Sequence, residues 1–226
     1  GAGHAGRAMD VRPPASDEEW VEGDVSDPQR ADEAVAGMEA VVHLAAIPAF
    51  NPEIPGADFM RVNHGGTVGL LEAAAQRAGS LQRFVYLSSI AAGAPSGARD
   101  DRPVSAYGRS KRRGEDAVRA RAGDMPVSVL RPPPIYGPRD AEMLPLFKAV
   151  KLGVLPVLGP KDAEFGMVYG PDCAEAVLAL LSEPHDSGQV FCVDDGVPHS
   201  WRDVGRAAAA VLGRREPRLV CVPAAA

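Results

Sequence analysis

A tyrosine and a lysine four positions apart, in Tyr107-Gly108-Arg109-Ser110-Lys111, are the residues of this 226-residue chain best suited to chemistry. On a helix that spacing puts both side chains on one face. A nearby cation favours the phenolate and lowers a tyrosine's pKa from about 10 toward working pH, so its oxygen can exchange a proton with a substrate hydroxyl. With four tyrosines and four lysines in the chain, chance supplies about 0.07 such pairs, so the motif is suggestive rather than decisive. Ser88-Ser89 adds to it, because the pair follows the apolar run Arg83 to Leu87, and loops after buried parallel strands face the ligand crevice. A hydroxyl there can hold a substrate oxygen beside Tyr107. The plainer roles are strand-end capping for the serines, a half-buried helix aromatic for Tyr107 and a solvated ammonium for Lys111.

Gly1-Ala2-Gly3-His4-Ala5-Gly6 spells G-x-G-x-x-G, but a dinucleotide fingerprint needs a strand before it, a helix after it and an acid about 20 residues on. Asp10 follows Gly6 by only four positions, and Pro13-Pro14 forbids a helix there. Gly1 to Gly6 reads instead as the end of a helix, and Ala8-Met9-Asp10 as the end of a strand. An acid at such a strand end can accept both hydrogen bonds from an adenosine ribose, and its charge repels a 2′-phosphate. That favours NAD over NADP, although Arg12 could serve the other choice. The alternative for Asp10 is an ordinary solvent-facing loop acid.

Elements able to position these residues are legible. Ala40 to Ala45, Arg83 to Ser88 and Val127 to Arg131 read as strands, nearly continuous in apolar character as strands covered on both faces must be. Asp27-Pro28 opens a helix that Gly37 closes. Further helices are expected from Asp58 to Arg77, from near Ser105 through Tyr107 and Lys111, from Pro171, and from Ser200 with Asp203 three residues on. The alternation predicts an α/β fold, a Rossmann-like doubly wound parallel sheet. Residues 1–131 are expected to form an incomplete dinucleotide-binding part, and 132–226 a smaller substrate-side lobe with returning sheet elements, all within one structural domain.

Composition excludes several classes. At 46 % hydrophobic and 24 % charged, with 30 acidic against 24 basic residues and a net charge of −6, the chain does not look like a nucleic-acid binder. Cys173, Cys192 and Cys221 are scattered without C-x-x-C, and His4, His43, His64, His185 and His199 do not cluster, so neither a disulfide framework nor a metal site is expected. The longest apolar stretch, Ala40 to Phe50, is too short to span a membrane, and Gly1 to Asp10 lacks a signal peptide's apolar core. His43, on a buried strand, reads as a core or crevice-edge histidine.

A set of segments in order resembles the extended short-chain dehydrogenases/reductases, the NAD-dependent epimerase/dehydratase family. These are Asp24-Val25, Val42 to Ala46, Val62 to Thr67, Val85 to Ser89, Tyr107 to Lys111, Leu130 to Pro138, and Val168 to Ala176. The resemblance implies that Ser89 and Tyr107 are the catalytic hydroxyls and that Lys111 holds the nicotinamide ribose and tunes Tyr107. It implies that Asp10 binds the adenosine ribose, Asp24 and Val25 the adenine, and Leu44, Ala45 and Ala46 the middle of the cofactor. Asn63 and the Pro133-Pro134 turn complete the nicotinamide end. The implied protein is a cytoplasmic, homodimeric NAD-dependent oxidoreductase, epimerase or dehydratase. It acts on a secondary hydroxyl of a small molecule, with no nucleic-acid or membrane partner.

The pattern departs from the family in three places. The family's first strand, glycine-rich turn and most of its first helix have no counterpart here, which leads to the expectation of an N-terminally truncated chain. Ser89 and Tyr107 are 18 positions apart, so the loop from Ala92 to Val104 is short, with the composition of a surface lid. Pro134 stands where sugar-nucleotide epimerases carry an asparagine, and Arg131 to Asp140 looks more like the 3β-hydroxysteroid dehydrogenase branch; nucleotide sugars and hydroxysteroid-like alcohols both stay open as substrates. Arg131 and Arg139 could meet a nucleotide phosphate or form surface ion pairs. A non-catalytic nucleotide sensor or an inactive fragment are the competing readings. Lacking the pyrophosphate-binding turn, this chain is expected to bind NAD poorly. Calorimetric titration should show no saturation at micromolar NAD, and a micromolar dissociation constant would overturn the expectation.

Overall fold

The computed structural model describes residues 5–13, 19–49, 55–77, 79–93, 101–138, 140–141, 143–160 and 162–222. The chain opens with β1 (Arg7–Asp10) and β2 (Glu19–Glu22), paired in parallel, and continues into α1 (Pro28–Val35). The Asp27 carboxylate accepts from the Gln29 N–H at the start of α1, and Gly37, at φ of +74°, turns the chain out of it. Next come β3 (Ala40–His43), α2 (Gly56–Phe59), a π-helical stretch (Met60–Gly66), α3 (Thr67–Ala75), β4 (Arg83–Leu87), a 3-10 turn (Ile90–Ala92), α4 (Ala106–Ala120) and β5 (Val127–Arg131). The remainder is β6 (Ile135–Tyr136), α5 (Leu144–Lys151), β7 (Val154–Leu158), β8 (Glu164–Phe165), β9 (Val168–Tyr169), α6 (Gly170–Ser182), β10 (Gln189–Cys192), β11 (His199–Ser200), α7 (Trp201–Val211) and β12 (Arg218–Val222).

Two compact units result, one of residues 1–131 and 175–192, the other of 132–174 and 193–226. The first holds a parallel sheet in the order β10-β5-β4-β3. Its central strands are closed to water on both faces: Phe84, Val85 and Tyr86 of β4 and Val127, Ser128 and Val129 of β5 are all fully buried. Ala31 and Val35 of α1, Leu70, Leu71 and Ala74 of α3, and Val118 of α4 complete that core. This is the α/β parallel architecture expected from the apolar runs. In the second unit, β7 and β12 pair in parallel, and Val150 of α5 and Ala208 and Ala209 of α7 pack with Leu155, Val157 and Leu219. The serine expected to open the last helix does so as a capping box, with Ser200 and Asp203 satisfying each other's backbone N–H.

The helix expected over Asp58 to Arg77 differs. It starts at Gly56, passes through seven residues of π-helix and ends at Ala75. A π turn inserts an extra residue, and such insertions collect at functional sites. Thr67 donates from Oγ1 to the Asn63 carbonyl at 2.7 Å inside this stretch. No helix among the described residues is long and apolar enough to cross a membrane.

His43 is a core histidine, 2 % exposed, with Nε2 2.9 Å from Thr67 Oγ1 and its ring 5.4 Å from that of Tyr86. Burial, and secondarily the Lys111 ammonium, push its pKa down to about 3. Between pH 6.5 and 3 the unfolded chain binds a proton that the folded chain does not, so stability is lost as pH falls. His43 alone should contribute a slope of about 1.4 kcal/mol per pH unit across that window. Urea unfolding at pH 4.5, 5.5 and 6.5 should show a slope flatter by that amount in His43→Phe, and equal slopes would refute the assignment.

Candidate active site

Helix α4 carries the site. Ser105 caps it by accepting the Gly108 N–H at 2.9 Å, and Tyr107, Lys111 and Glu115 then follow at four-residue steps along one face. Tyr107 is half-buried and stands edge-on to Phe59, with centroids 6.1 Å apart. Lys111 is not a solvated ammonium: it is 2 % exposed, its Nζ donates to the Leu87 carbonyl at 2.6 Å, and it lies 4.4 Å from the centre of the Tyr86 ring. Desolvation lowers its pKa to about 7, and the Glu115 charge opposes that shift. Burial raises the Tyr86 phenol well above its usual range, so Tyr86 stays a neutral aromatic.

The two serines part company. Ser88 is buried and donates to a Glu115 carboxylate oxygen. Ser89 is half-buried and caps the 3-10 turn, its Oγ accepting the Ala91 N–H at 3.2 Å. That turn is pressed onto the first turn of α4. A Cβ on Gly108 would fall 2.2 Å from the Ala91 carbonyl oxygen, so only glycine permits the approach that sets the Ser89 turn beside that of Tyr107.

Asn63 joins the π stretch to two neighbours. Fully buried, it accepts the Ile47 N–H at 2.7 Å and donates to the Ile47 carbonyl and to Ser110 Oγ at 3.2 and 3.1 Å; Ser110 in turn donates to the Tyr107 carbonyl. The loop after β3 is thereby tied to α4, and in that loop Leu44 (56 %) and Ala45 are exposed and Ala46 half-buried. Asp24 Oδ1 accepts from both the Ser26 N–H and hydroxyl, which holds its carboxyl below the usual range, the backbone bond contributing most. Val25 is buried against Gly66, where a Cβ would fall 2.5 Å from Val25 Cγ1. Asp10, exposed at the end of β1, accepts the Arg12 N–H at 2.9 Å.

The structure thus brings Tyr107, Lys111, Asn63 and the Ser89 turn together, and links Asp24-Val25 to the π stretch. Asp10, at the end of the β1–β2 pair, lies beside the Asp24-Val25 segment, its carbonyl accepting the Gly23 N–H at 3.1 Å. Pro133 (buried) and Pro134 (exposed) belong to the second unit. Residues 94–100 of the expected lid, Arg139, and Gly1 to His4 lie outside the described residues. These groups fit a dinucleotide: an exposed strand-end acid can accept from a ribose diol, and the exposed Leu44-Ala45 edge offers an apolar face. Arg131 is half-buried, and its guanidinium is held bidentately through Nε and Nη2 by the buried Glu115 at 2.8 and 2.6 Å. Glu115 was not anticipated from sequence, although it continues the four-residue step begun by Tyr107 and Lys111.

Residues 2–193 match the model of the NAD dependent epimerase/dehydratase family. A ceramide reductase of Caulobacter vibrioides is 39 % identical over 210 residues, which cover 91 % of this chain and 60 % of the relative. A 3 beta-hydroxysteroid dehydrogenase/Delta 5→4-isomerase of Mycobacterium tuberculosis is 32 % identical over 243 residues, covering 96 % and 65 %. The chain therefore spans less than two thirds of the length of these curated relatives. Among solved structures, MoeE5 in complex with UDP-glucuronic acid and NAD superposes with a TM-score of 0.83 at 25 % identity, over 99 % of this chain and 79 % of that one.

Gly108→Ala should lower unfolding stability by about 1–3 kcal/mol, because the Ala91 backbone has to give way. Gly123→Ala, where a Cβ meets nothing within 4 Å, serves as the control and should change stability by less than about 0.5 kcal/mol. Equal urea midpoints for the two variants would mean that the close approach is not as described.

Proposed function

The chain belongs to the NAD-dependent epimerase/dehydratase family, and from that membership we propose that it acts with NAD on a secondary alcohol or the matching ketone, using Tyr107, Lys111 and Ser89. The arrangement that supports this reading is the buried Lys111 ammonium one helical turn from Tyr107, on the face that meets the Ser89 turn. NAD, when bound, takes or returns a hydride at the nicotinamide. Tyr107 accepts the hydroxyl proton as the carbinol carbon gives up that hydride, and returns it in the reverse direction. Lys111 favours the phenolate form of Tyr107, and Ser89 keeps a hydroxyl donor for the substrate oxygen. Asp10 would hold the adenosine ribose, Asp24 and Val25 the adenine, Leu44 to Ala46 the middle of the cofactor, and Asn63 with Pro133-Pro134 the nicotinamide end.

A substrate with a lipid-like alcohol or ketone is favoured. Two relatives by sequence are named for a ceramide and a hydroxysteroid, and Pro134 replaces the sugar-contacting asparagine expected of nucleotide-sugar epimerases. The nucleotide-sugar reading is kept by a sequence relative named a dTDP-glucose 4,6-dehydratase, 33 % identical over 208 residues, and by the likeness to a structure holding UDP-glucuronic acid. Residues 132–226 would supply most of the substrate side, and a cytoplasmic homodimer through the helices bearing Asn63 and Tyr107 belongs to the same reading.

Absorbance of the reduced nicotinamide, followed at millimolar NAD with a hydroxysteroid, a ceramide and UDP-glucose in parallel, tests both levels. Turnover with the first two and at least a 100-fold loss in Tyr107→Phe are expected for a lost general acid–base group. Turnover confined to the UDP-sugar, read as net nicotinamide reduction or, since epimerisation and dehydration return the hydride, as an epimer or dehydrated product by chromatography, would reverse the substrate assignment. Turnover surviving Tyr107→Phe intact would refute the proton-transfer role.

A further inference from the structure

Glu115 is the most deeply buried carboxylate among the described residues of the first unit, 1 % exposed, and none of the steps above uses it. Three groups from three segments converge on it. Arg131, the last residue of β5, donates from Nε and Nη2; Ser88, the first residue after β4, donates its hydroxyl; and Glu115 itself stands one turn beyond Lys111 on α4. Ser88 is also tied through its backbone N–H to the Leu130 carbonyl at 2.7 Å, so the ends of β4 and β5 are locked together directly above the carboxylate. The residue before Ser88 is Leu87, and its carbonyl is the one that receives the Lys111 ammonium. Single-residue links therefore run from Arg131 to Glu115, from Glu115 to Ser88, and from Leu87 to Lys111.

A buried carboxylate and guanidinium are costly to dehydrate, and replacing such a pair by apolar groups is often neutral for stability. Packing alone therefore does not explain why this pair occupies the junction of β4, β5 and α4. We propose that Glu115, held by Arg131 and Ser88, is a positioning residue that fixes the Leu87 carbonyl and keeps the Lys111 side chain charged and docked beneath α4. This rests on the reading that Lys111 serves the proton-handling tyrosine. The groups around Lys111 are His43 from β3, Tyr86 from β4 and Glu115 from α4, and Tyr107 from α4 acts on Tyr86; Asp101 and Cys192 face Arg131. Among those around Lys111, His43 is neutral near pH 7 and Tyr86 remains protonated, so Glu115 supplies the opposing negative charge that the ammonium meets.

The test reads Lys111 itself. The chain has four lysines, so labelling them with 13C at Cε yields a small set of resonances, and Lys111→Met identifies the relevant one. Titration without nucleotide should place the Lys111 midpoint near neutrality in the unmodified chain, and Glu115→Gln should move it down by about one pH unit or more. Circular dichroism confirms that the variant is folded. An unchanged or raised midpoint in folded Glu115→Gln overturns the proposal, because looser packing admits water and moves the midpoint up, whereas loss of the opposing charge moves it down. Should Glu115→Gln fail to fold, Ser88→Ala is read instead: a displaced Lys111 resonance supports the tether, and an identical resonance and midpoint overturn it. Because no nucleotide is present, failure of the NAD reading leaves this measurement standing. Conversely, an unmoved midpoint beside a turnover loss in Tyr107→Phe sinks only the role of Glu115.

Discussion

An ammonium taken out of water must find substitutes for the water it loses, and the first unit is organised around that requirement at Lys111. It has a carbonyl at 2.6 Å, an aromatic face at 4.4 Å and a carboxylate one helical turn away. Each substitute constrains an element. The carbonyl fixes where β4 must end, the ring requires Tyr86 to point at α4, and the carboxylate requires a partner of its own, which β5 supplies at Arg131. The helix meets these demands only by lying unusually close to the sheet. Its buried face is accordingly built of Gly108, Ser110 and Gly114, and a Cβ at Gly114 would fall 2.3 Å from the Tyr86 hydroxyl.

Asn63 performs the same service for the neighbouring helix. A side-chain amide with two donors and an acceptor can close a loop and brace a second helix at once, and here it does both, toward Ile47 and Ser110. The π stretch is the backbone counterpart of that arrangement. Within Met60–Gly66 the Asn63 carbonyl accepts the Thr67 hydroxyl while its amide reaches both Ile47 and Ser110. The post-β3 loop, the π stretch and α4 therefore form one hydrogen-bonded frame, within which Tyr107 is held by its own carbonyl through Ser110.

Much of this fold was legible because its signals are local. Asp27 with Pro28, Ser105, and Ser200 with Asp203 announce helix starts through chemistry confined to three or four residues, and each caps as its type requires. The central strands were visible because burial on both faces leaves no polar alternation to mask them. The elements that escaped have weak local signals: in β2 only Val21 is buried, and in α5 only Val150 is. The π stretch escaped because Met60–Gly66 carries the composition of an ordinary helix, and the partners of Asn63 lie far off in sequence.

The same division runs through the site. Tyr107 and Lys111 could be paired from spacing alone, since a helix makes four positions apart equivalent to adjacent. Ser88 and Ser89 could not be told apart in that way. In a strand buried on one face, alternation would say which serine points inward; β4 is buried on both, so parity carries no information, and the distinction comes from Glu115, 27 positions away. Arg131 poses the converse problem. Its sequence neighbours, Leu130 and Pro132, say only that a strand ends there, whereas its role follows from a carboxylate 16 positions earlier on another element. An acid one further turn along the face that already holds a tyrosine and a lysine is a signal of its own. A buried helix face does not accept an unpaired carboxylate, so Glu115 demanded a cation from a neighbouring strand, and the arginine closing β5 lies within reach.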